Sequence, residues 1–322
     1  MKKILITGIS GFVGGHFVDY INKNHSDFEI YGISRSEPSW DFVDNPGFHK
    51  FYKADLKDSL KIETIIKDTE PDYILHLAAQ SSVAESWNTP VESFMNNMNA
   101  FLNIIETVRH SDMKTRILSV GSSEQYGIIP EEDLPVSEDA QQRPGNPYAV
   151  ARVSQENLAG VYAKGYGLDI CCTRSFNHCG PGQKDNFVVS SIVKQFVMIA
   201  KGIREPVLHI GNGAVIRDFL DVHDVVEAYV SLLSKGKSGE AYNICSGVGR
   251  SIVDIIEMLS GIYGIDVEIR QEASRLRPAD NPRIVGSNIK ICGDTGWKPK
   301  VSFEETLRSV YDYWDSHIID DV

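Results

Sequence analysis

Cationic residues are in short supply in this 322-residue chain: Lys and Arg number 32 against 44 Asp and Glu, a formal net charge of −12. A field of that sign repels nucleic acid and anionic membrane surfaces at long range, so neither is expected as a partner. Long apolar runs are also missing, and none approaches the ~20 residues needed to cross a bilayer. The opening Met1-Lys2-Lys3-Ile4-Leu5-Ile6-Thr7 soon meets glycine and is too short for a signal-peptide core. Cysteine is sparse: five residues (Cys171, Cys172, Cys179, Cys245, Cys292), an odd number, with no C-x-x-C pair and no histidine at metal-ligand spacing. Reduced thiols in a cytoplasmic protein are expected, with no disulfide and no metal site. Repeats and low-complexity tracts are lacking as well. What remains, 42% hydrophobic and 24% charged, is the composition of a folded globule. Its length suits two folding units, or one large α/β domain with an elaborated half.

The first half alternates strand and helix. Apolar strands are predicted over 3–7, 29–34, 48–54, 72–77, 115–120 and 168–174. Helices are predicted after the first glycine turn and over 60–67, 90–110 and 147–164. Such alternation implies parallel pairing through right-handed crossovers, hence α/β architecture with a doubly wound parallel sheet of the Rossmann type. After Arg174 the texture changes to a turn-rich 177–183, then helices near 187–201, 222–235 and 251–263 joined by short strand-like pieces. The expected organisation is a cofactor-binding domain over 1–175, with returns to its sheet near 209–245, and a smaller mixed α/β substrate-binding lobe over 176–322.

Thr7-Gly8-Ile9-Ser10-Gly11-Phe12-Val13-Gly14 spaces glycines as G-x-x-G-x-x-G between the first strand and its helix. Glycine permits the tight turn and lets a pyrophosphate approach backbone N–H groups, to which a helix N-terminus adds partial positive charge. Glycines that merely end a strand are the plainer alternative, but the surrounding βα units favour a dinucleotide. The second strand ends Gly32-Ile33-Ser34-Arg35-Ser36, with no acid until Glu37. A carboxylate there would bond the adenosine ribose of NAD, whereas Ser34 and Arg35 suit a 2′-phosphate, so NADP(H) is favoured over NAD(H). Arg35 as a solvated turn residue stays open. Asp55 is placed to meet the adenine and would equally serve as a helix N-cap.

Three further motifs follow in order: Leu77-Ala-Ala-Gln80, Val120-Gly-Ser-Ser-Glu-Gln-Tyr-Gly127 and Asn146-Pro-Tyr-Ala-Val-Ala-Arg152. Together with the glycine turn they resemble the extended short-chain dehydrogenase/reductase family over essentially the whole chain. That resemblance implies that Ser122 polarises the substrate oxygen and Tyr148 exchanges a proton with it, beside a nicotinamide that passes hydride at the same carbon. The chemistry agrees, since hydride transfer at a C–O carbon needs a proton partner on oxygen, and a phenol needs nearby cations to serve. Taken alone, Ser122 would read as a turn serine and Tyr148 as a packed aromatic. The family's Y-x-x-x-K is here Tyr148-x-x-x-Arg152, which keeps a cation on the same helix face but spreads its charge over a planar fork. A functional but slower site is expected. Glu124 stands where related nucleotide-sugar 4,6-dehydratases carry a base.

The second half, with Thr173-Arg-Ser-Phe-Asn-His-Cys-Gly-Pro-Gly-Gln183, Arg217-Asp-Phe-Leu-Asp221 and Leu276-Arg-Pro278, looks like the GDP-4-keto-6-deoxy-D-mannose reductases. The implied cofactor site is Gly8, Gly11, Phe12, Val13, Gly14, Ser34, Arg35, Asp55, Leu56, Leu77, Ala78 and Ala79, with Tyr148 and Arg152. The implied substrate site is Gln80, Ser81, Ser122, Ser123, Asn177, Val188, Lys194, Arg217 and Arg277. Asn177 and Arg217 would hold a diphosphate, with Lys194 and Arg277 nearby and Val188 on the guanine side; surface salt bridging is the alternative for Arg217 and Arg277. His178 is expected to be packed or hydrogen-bonded. The function implied is NADP(H)-dependent reduction of the C4 ketone of a GDP-linked 4-keto-6-deoxy sugar, a step toward surface polysaccharide. Alternatives are a GDP-mannose-type 4,6-dehydratase using Glu124 (or a GDP-heptose analogue of either enzyme), and a non-catalytic nucleotide-sugar binder. The resemblance also implies a homodimer built on the helices that begin at Pro90 and Pro147.

Overall fold

Runs such as Ile4-Leu5-Ile6 and Ile117-Leu118 are apolar on both faces, the mark of parallel strands covered on two sides. The computed structural model describes residues 1–272 and 281–318. In chain order it shows β1 (Lys2–Thr7), α1 (Phe12–Asn24), β2 (Phe28–Ser34), β3 (Lys50–Lys53), α2 (Ser59–Thr69), β4 (Tyr73–His76), α3 (Val83–Asn88), α4 (Pro90–Arg109) and β5 (Arg116–Ser122). Two short 3-10 turns, Ser123–Tyr126 and Glu131–Asp133, precede α5 (Pro147–Tyr166) and β6 (Asp169–Ser175). Then come β7 (Asn177–Cys179), α6 (Val188–Ala200), β8 (Val207–Ile210), β9 (Ile216–Asp221), α7 (Val222–Lys235), β10 (Ala241–Ile244) and β11 (Gly249–Ser251). The chain continues through α8 (Ile252–Tyr263), β12 (Glu268–Gln271), β13 (Arg283–Ile284), α9 (Ile289–Thr295) and α10 (Phe303–His317).

Seven strands form one sheet in the order β10-β6-β5-β4-β1-β2-β3, and every neighbouring pair is parallel. The order reverses between β1 and β4, and there the carboxyl ends of the strands leave a crevice for a ligand. Within 209–245 the returning strand is β10, whereas β9 heads a small sheet with β11, β13 and β7, and β8 pairs β12. α7 also returns: Val226, Tyr229 and Leu233 pack with Ile4, Ile6 and Phe17 on one face of the main sheet. On the other face Leu5 and Ile33 meet Ile62 of α2 and Phe101 and Ile105 of α4. A third core, with Phe196 of α6, Ile255 of α8 and Leu307 of α10, belongs to the second lobe.

Polar bonds tie these layers. The buried Arg174 donates from Nη2 to Glu156 Oε1 at 2.6 Å and from Nη1 to the Tyr126 hydroxyl at 2.9 Å, joining β6 to α5. All five cysteines are unpaired, and burial pushes the Cys171, Cys172, Cys179 and Cys245 thiols up. Among the described residues no helix is long and apolar enough to cross a membrane.

His16 joins α1 to the second lobe, donating from Nε2 to the Pro181 carbonyl at 2.8 Å. Burial pushes this imidazole down to about 4, against 6.5 in a free chain. Between those values the unfolded state binds the extra proton, so stability falls as pH drops through that window. The loss accumulated across that window is at most about 3 kcal/mol. Urea unfolding at stepped pH should show stability declining from pH 6.5 to 4. His16→Gln, which keeps a donor toward Pro181 without titrating, should make that decline shallower.

Candidate active site

The turn after β1 is shaped by what cannot fit. Gly8 has φ +74°, and a Cβ there would lie 2.9 Å from the backbone of Ala78 at the end of β4. A Cβ on Gly14 would lie 2.2 Å from the Ile9 carbonyl oxygen. Gly11 is the N-cap of α1 and supplies no side-chain acceptor, and the first turn carries no acid. Among the described residues the N–H groups of Phe12, Val13 and Gly14 have no acceptor, which fits a pyrophosphate. Phe12 opens the helix, its ring edge-on to His16 and parallel to His178, while Val13 packs into the core.

At the end of β2 the Ser34 hydroxyl lies 2.5 Å from Ser10 Oγ, and Ser36 Oγ is 3.4 Å from the same Ser10. With the exposed Arg35 these make a hydroxyl-and-guanidinium cluster suited to a 2′-phosphate. Ser10 and Ser36 were not among the expected residues; hydroxyls in both the glycine turn and the strand end were the available signal. Asp55 is exposed and accepts from the Lys57 N–H, while the N-cap of α2 is Asp58. Leu56 is buried beside it. Leu77 and Ala78 donate their N–H groups to the Thr7 carbonyl and hydroxyl oxygens, holding β4 against β1 with Ala79 following. Gln80 donates its N–H to Asn97 Oδ1 at 3.0 Å and keeps a buried Oε1 with no partner among the described residues; Ser81 is exposed.

At the end of β5, Gln125 Oε1 accepts the Ser122 N–H at 2.9 Å, and Ser122 Oγ accepts the Glu124 N–H at 3.3 Å. The Ser122 hydroxyl proton stays available to an acceptor. Ser123 is buried in the same turn. Glu124 Oε2 accepts from Asn146 Nδ2 at 2.8 Å, while Asn146 Oδ1 caps α5 by accepting the Ala149 N–H. Pro147 at the first helical position then sets Tyr148 in the first turn, 5% exposed, with no hydrogen-bond partner for its hydroxyl among the described residues. One turn on, Arg152 places its guanidinium carbon 5.2 Å from the centre of the Tyr148 ring. Neighbouring His76 is fully buried, its Nδ1 2.8 Å from Thr7 Oγ1. Burial, with the Arg152 charge beside it, pushes this imidazole down to about 3, so it is neutral.

In the second lobe, Asn177 is exposed on β7, where it registers with Phe219 of β9. Val188 opens α6, half-exposed beside Phe187. Lys194 is paired with Asp185 at 2.7 Å and lies over the Trp314 ring. Arg217, 8% exposed on β9, registers with Arg250 of β11 across an antiparallel pair, so both side chains share a face. Like charges directly opposite repel; the Asp218 carboxylate offsets part of the Arg250 charge, and Arg250 keeps a buried Nη1 with no hydrogen-bond partner among the described residues. Arg250 was missed because its place opposite Arg217 depends on strand register. Asp218 fixes this corner by accepting from the N–H groups of Ser246, Gly247 and Gly286. His178, whose Nδ1 donates to the Phe176 carbonyl, is hydrogen-bonded and packed. Arg277 lies outside the described residues. Among those residues no cluster of three His, Cys, Asp or Glu could hold a metal ion.

Fold and site together define an enzyme of the short-chain dehydrogenase/reductase class, with a nicotinamide crevice facing a second lobe. A family model described as GDP-mannose 4,6 dehydratase matches residues 5–310, and the chain belongs to that family. It is similar to the GDP-6-deoxy-D-mannose reductase of Pseudomonas aeruginosa, 33% identical over 98% of each chain. It is also similar to the GDP-6-deoxy-D-talose 4-dehydrogenase of Aggregatibacter actinomycetemcomitans, 28% identical over 91% of each. Among solved structures, the RMD protein of Pseudomonas aeruginosa complexed with NADPH matches with a TM-score of 0.87 and 32% identity, over 99% of this chain and all of that one. A Thermus thermophilus UDP-glucose 4-epimerase complexed with NAD matches with a TM-score of 0.86 and 27% identity, over 98% of this chain and all of that one.

The serine and arginine cluster after β2 gives a direct test of cofactor choice. Arg35→Glu should weaken NADPH binding about tenfold and leave NADH within about threefold, read by titrating nicotinamide fluorescence.

Proposed function

We propose that the protein reduces the C4 ketone of a GDP-linked 4-keto-6-deoxy sugar with NADPH, giving a GDP-deoxyhexose of the GDP-D-rhamnose type. The observation that carries this reading is the arrangement at the cofactor crevice. Among the described residues, Ser122 has its oxygen occupied by an N–H of its own turn and its proton free, and Tyr148 has an unpartnered hydroxyl with Arg152 one helical turn away. Bound NADPH supplies the hydride that reduces C4. Ser122 donates a hydrogen bond to the ketone oxygen, so negative charge developing there is met by a prepositioned donor. Tyr148 gives its phenolic proton to that oxygen, the Arg152 guanidinium balances the phenolate left behind, and solvent returns the proton. Arg217 and Arg250 hold the diphosphate between them, their facing register setting two guanidinium groups on one face. The similarity to a GDP-6-deoxy-D-mannose reductase along nearly the whole chain supports GDP as the nucleotide.

A second reading, 4,6-dehydration with Glu124 as base, draws on the family name and on the position of that carboxylate. Its hydrogen bond from Asn146 favours instead a brace between the Ser122 turn and the cap of α5. Mixing the protein with a GDP-4-keto-6-deoxy sugar should consume NADPH, followed at the reduced-nicotinamide absorbance band. Tyr148→Phe should lower that rate by about 10²–10⁴-fold. Conversion of GDP-mannose without added reductant would establish the dehydratase instead.

The same reading places the enzyme in the cytoplasm as a homodimer. Val91 and Met95 on α4 and Val150 and Val161 on α5 are exposed apolar side chains on two helices that pack side by side. A second copy laying the same two helices against them would bury this surface in a four-helix contact. Light scattering should give twice the chain mass, and Val91→Glu with Val161→Glu should shift it to the monomer.

A further inference from the structure

Arg152 is 4% exposed, and no carboxylate pairs with it among the described residues. Its Nη1 donates twice, to the Val120 carbonyl oxygen at 2.9 Å and to Gln155 Oε1 at 2.9 Å. Gln155 is itself 2% exposed and fixed from its other end, where Nε2 donates to Ser119 Oγ at 2.8 Å. Among the described residues Nε of Arg152 is buried without a partner, which leaves Nη2 as the one guanidinium nitrogen neither partnered nor fully buried. The other titratable groups facing the guanidinium are His76 from β4, Tyr148 from α5 and Tyr229 from α7, whose hydroxyl lies 2.9 Å from Ser175 Oγ. Burial holds His76 uncharged and Tyr229 protonated at neutral pH, so neither cancels the arginine's charge.

We propose that Gln155 is a positioning residue for Arg152, clamping the guanidinium to the end of β5 so that Nη2 is the donor presented to the nicotinamide ribose and to Tyr148. The inference rests on the cofactor role given to Arg152 above. A lysine at this position offers one compact ammonium and needs no such clamp, whereas a fork with several donors must be told which to present. A neutral amide suits the task. It fixes the orientation through its dipole yet leaves the positive charge intact for the tyrosine, which a carboxylate in the same place would neutralise. Three neighbouring carbonyl and hydroxyl groups, on Val120, Gln155 and Ser119, thus make a fork-sized seat out of a site whose family pattern expects lysine.

The test is a double-mutant cycle, read first in NADPH affinity without sugar and then in turnover. Gln155→Met, close in volume but with no acceptor, should weaken NADPH binding about tenfold and lower kcat about tenfold, with KM for the GDP-sugar within twofold. Arg152→Lys combined with Gln155→Met should equal Arg152→Lys alone in both readouts, because lysine does not use the clamp. Should Gln155→Met not fold, Ser119→Ala takes its place in the cycle, with an expected loss of about threefold. Unchanged affinity in Gln155→Met overturns the proposal, and so does an equal loss in the arginine and lysine backgrounds, which would mark a merely structural role. A wild-type protein that binds NADPH but consumes none with the sugar overturns the proposed reaction; the affinity cycle still decides Gln155.

Discussion

Gly8 and Ala78 stand so close that one methyl group between them would collide with backbone. That near-contact brings the ends of β1 and β4 together at the point where the strand order reverses, and the cofactor crevice opens directly beyond it. Each further element takes its position from this junction. α1 starts without a side-chain cap because its first-turn N–H groups face the crevice. Thr7, one residue before Gly8, fastens Leu77, Ala78 and His76 on the neighbouring strand. One strand further along, β5 delivers Ser122, and α5 lays Tyr148 and Arg152 across its end. A bulkier turn would displace the series, because the ladders from β1 through β4 to β5, and the Arg152 bond to the Val120 carbonyl, tie its parts together.

An acidic chain that binds two anionic ligands resolves its electrostatics locally. Net charge governs the far field, which weakens within about 10 Å at ordinary salt. Inside the crevice what matters is where the few cations sit, and here several are withdrawn from solvent. Arg152, Arg174 and Arg217 are each less than one-tenth exposed. Arg174 pairs with Glu156 and holds the scaffold, whereas Arg152, among the described residues, has only neutral acceptors and no carboxylate to offset its charge. Two buried arginines on adjoining elements thus have opposite assignments, decided by whether a carboxylate or an amide lies within reach.

Much of this was legible in the sequence, for reasons that differ by region. Each strand of the first half is a short apolar run bounded by turn residues, so its place in a parallel sheet follows from alternation with helices; β1, β2, β4, β5 and β6 fall within two residues of expectation at each end. The Tyr148 and Arg152 pair was visible because one helical turn is a fixed sequence distance. Arg250 was not, because its place opposite Arg217 depends on strand register between segments more than thirty residues apart. Ser10 and Ser36 escaped because the bond between Ser10 and Ser34 joins the glycine turn to the end of β2, and only the hydroxyls in each segment marked it locally. α10 lies outside the expected helices although Ser302 and Glu305 form a capping box at its start, a local signal that was there to be read. The division at residue 175 describes the order of the chain better than its space, since β10 and α7 both pack on the first sheet.

That last feature bears on how the chain is made. β6 is seven residues long, and its outer edge is covered by β10, which begins only at Ala241. During synthesis the first 175 residues can assemble six strands, but they leave an open parallel edge while some sixty-five further residues emerge from the ribosome. An unpaired edge of that length is a template for another nascent chain. The growing second lobe is therefore the sheet's protection, and a fragment ended at the apparent domain boundary would carry that edge uncovered.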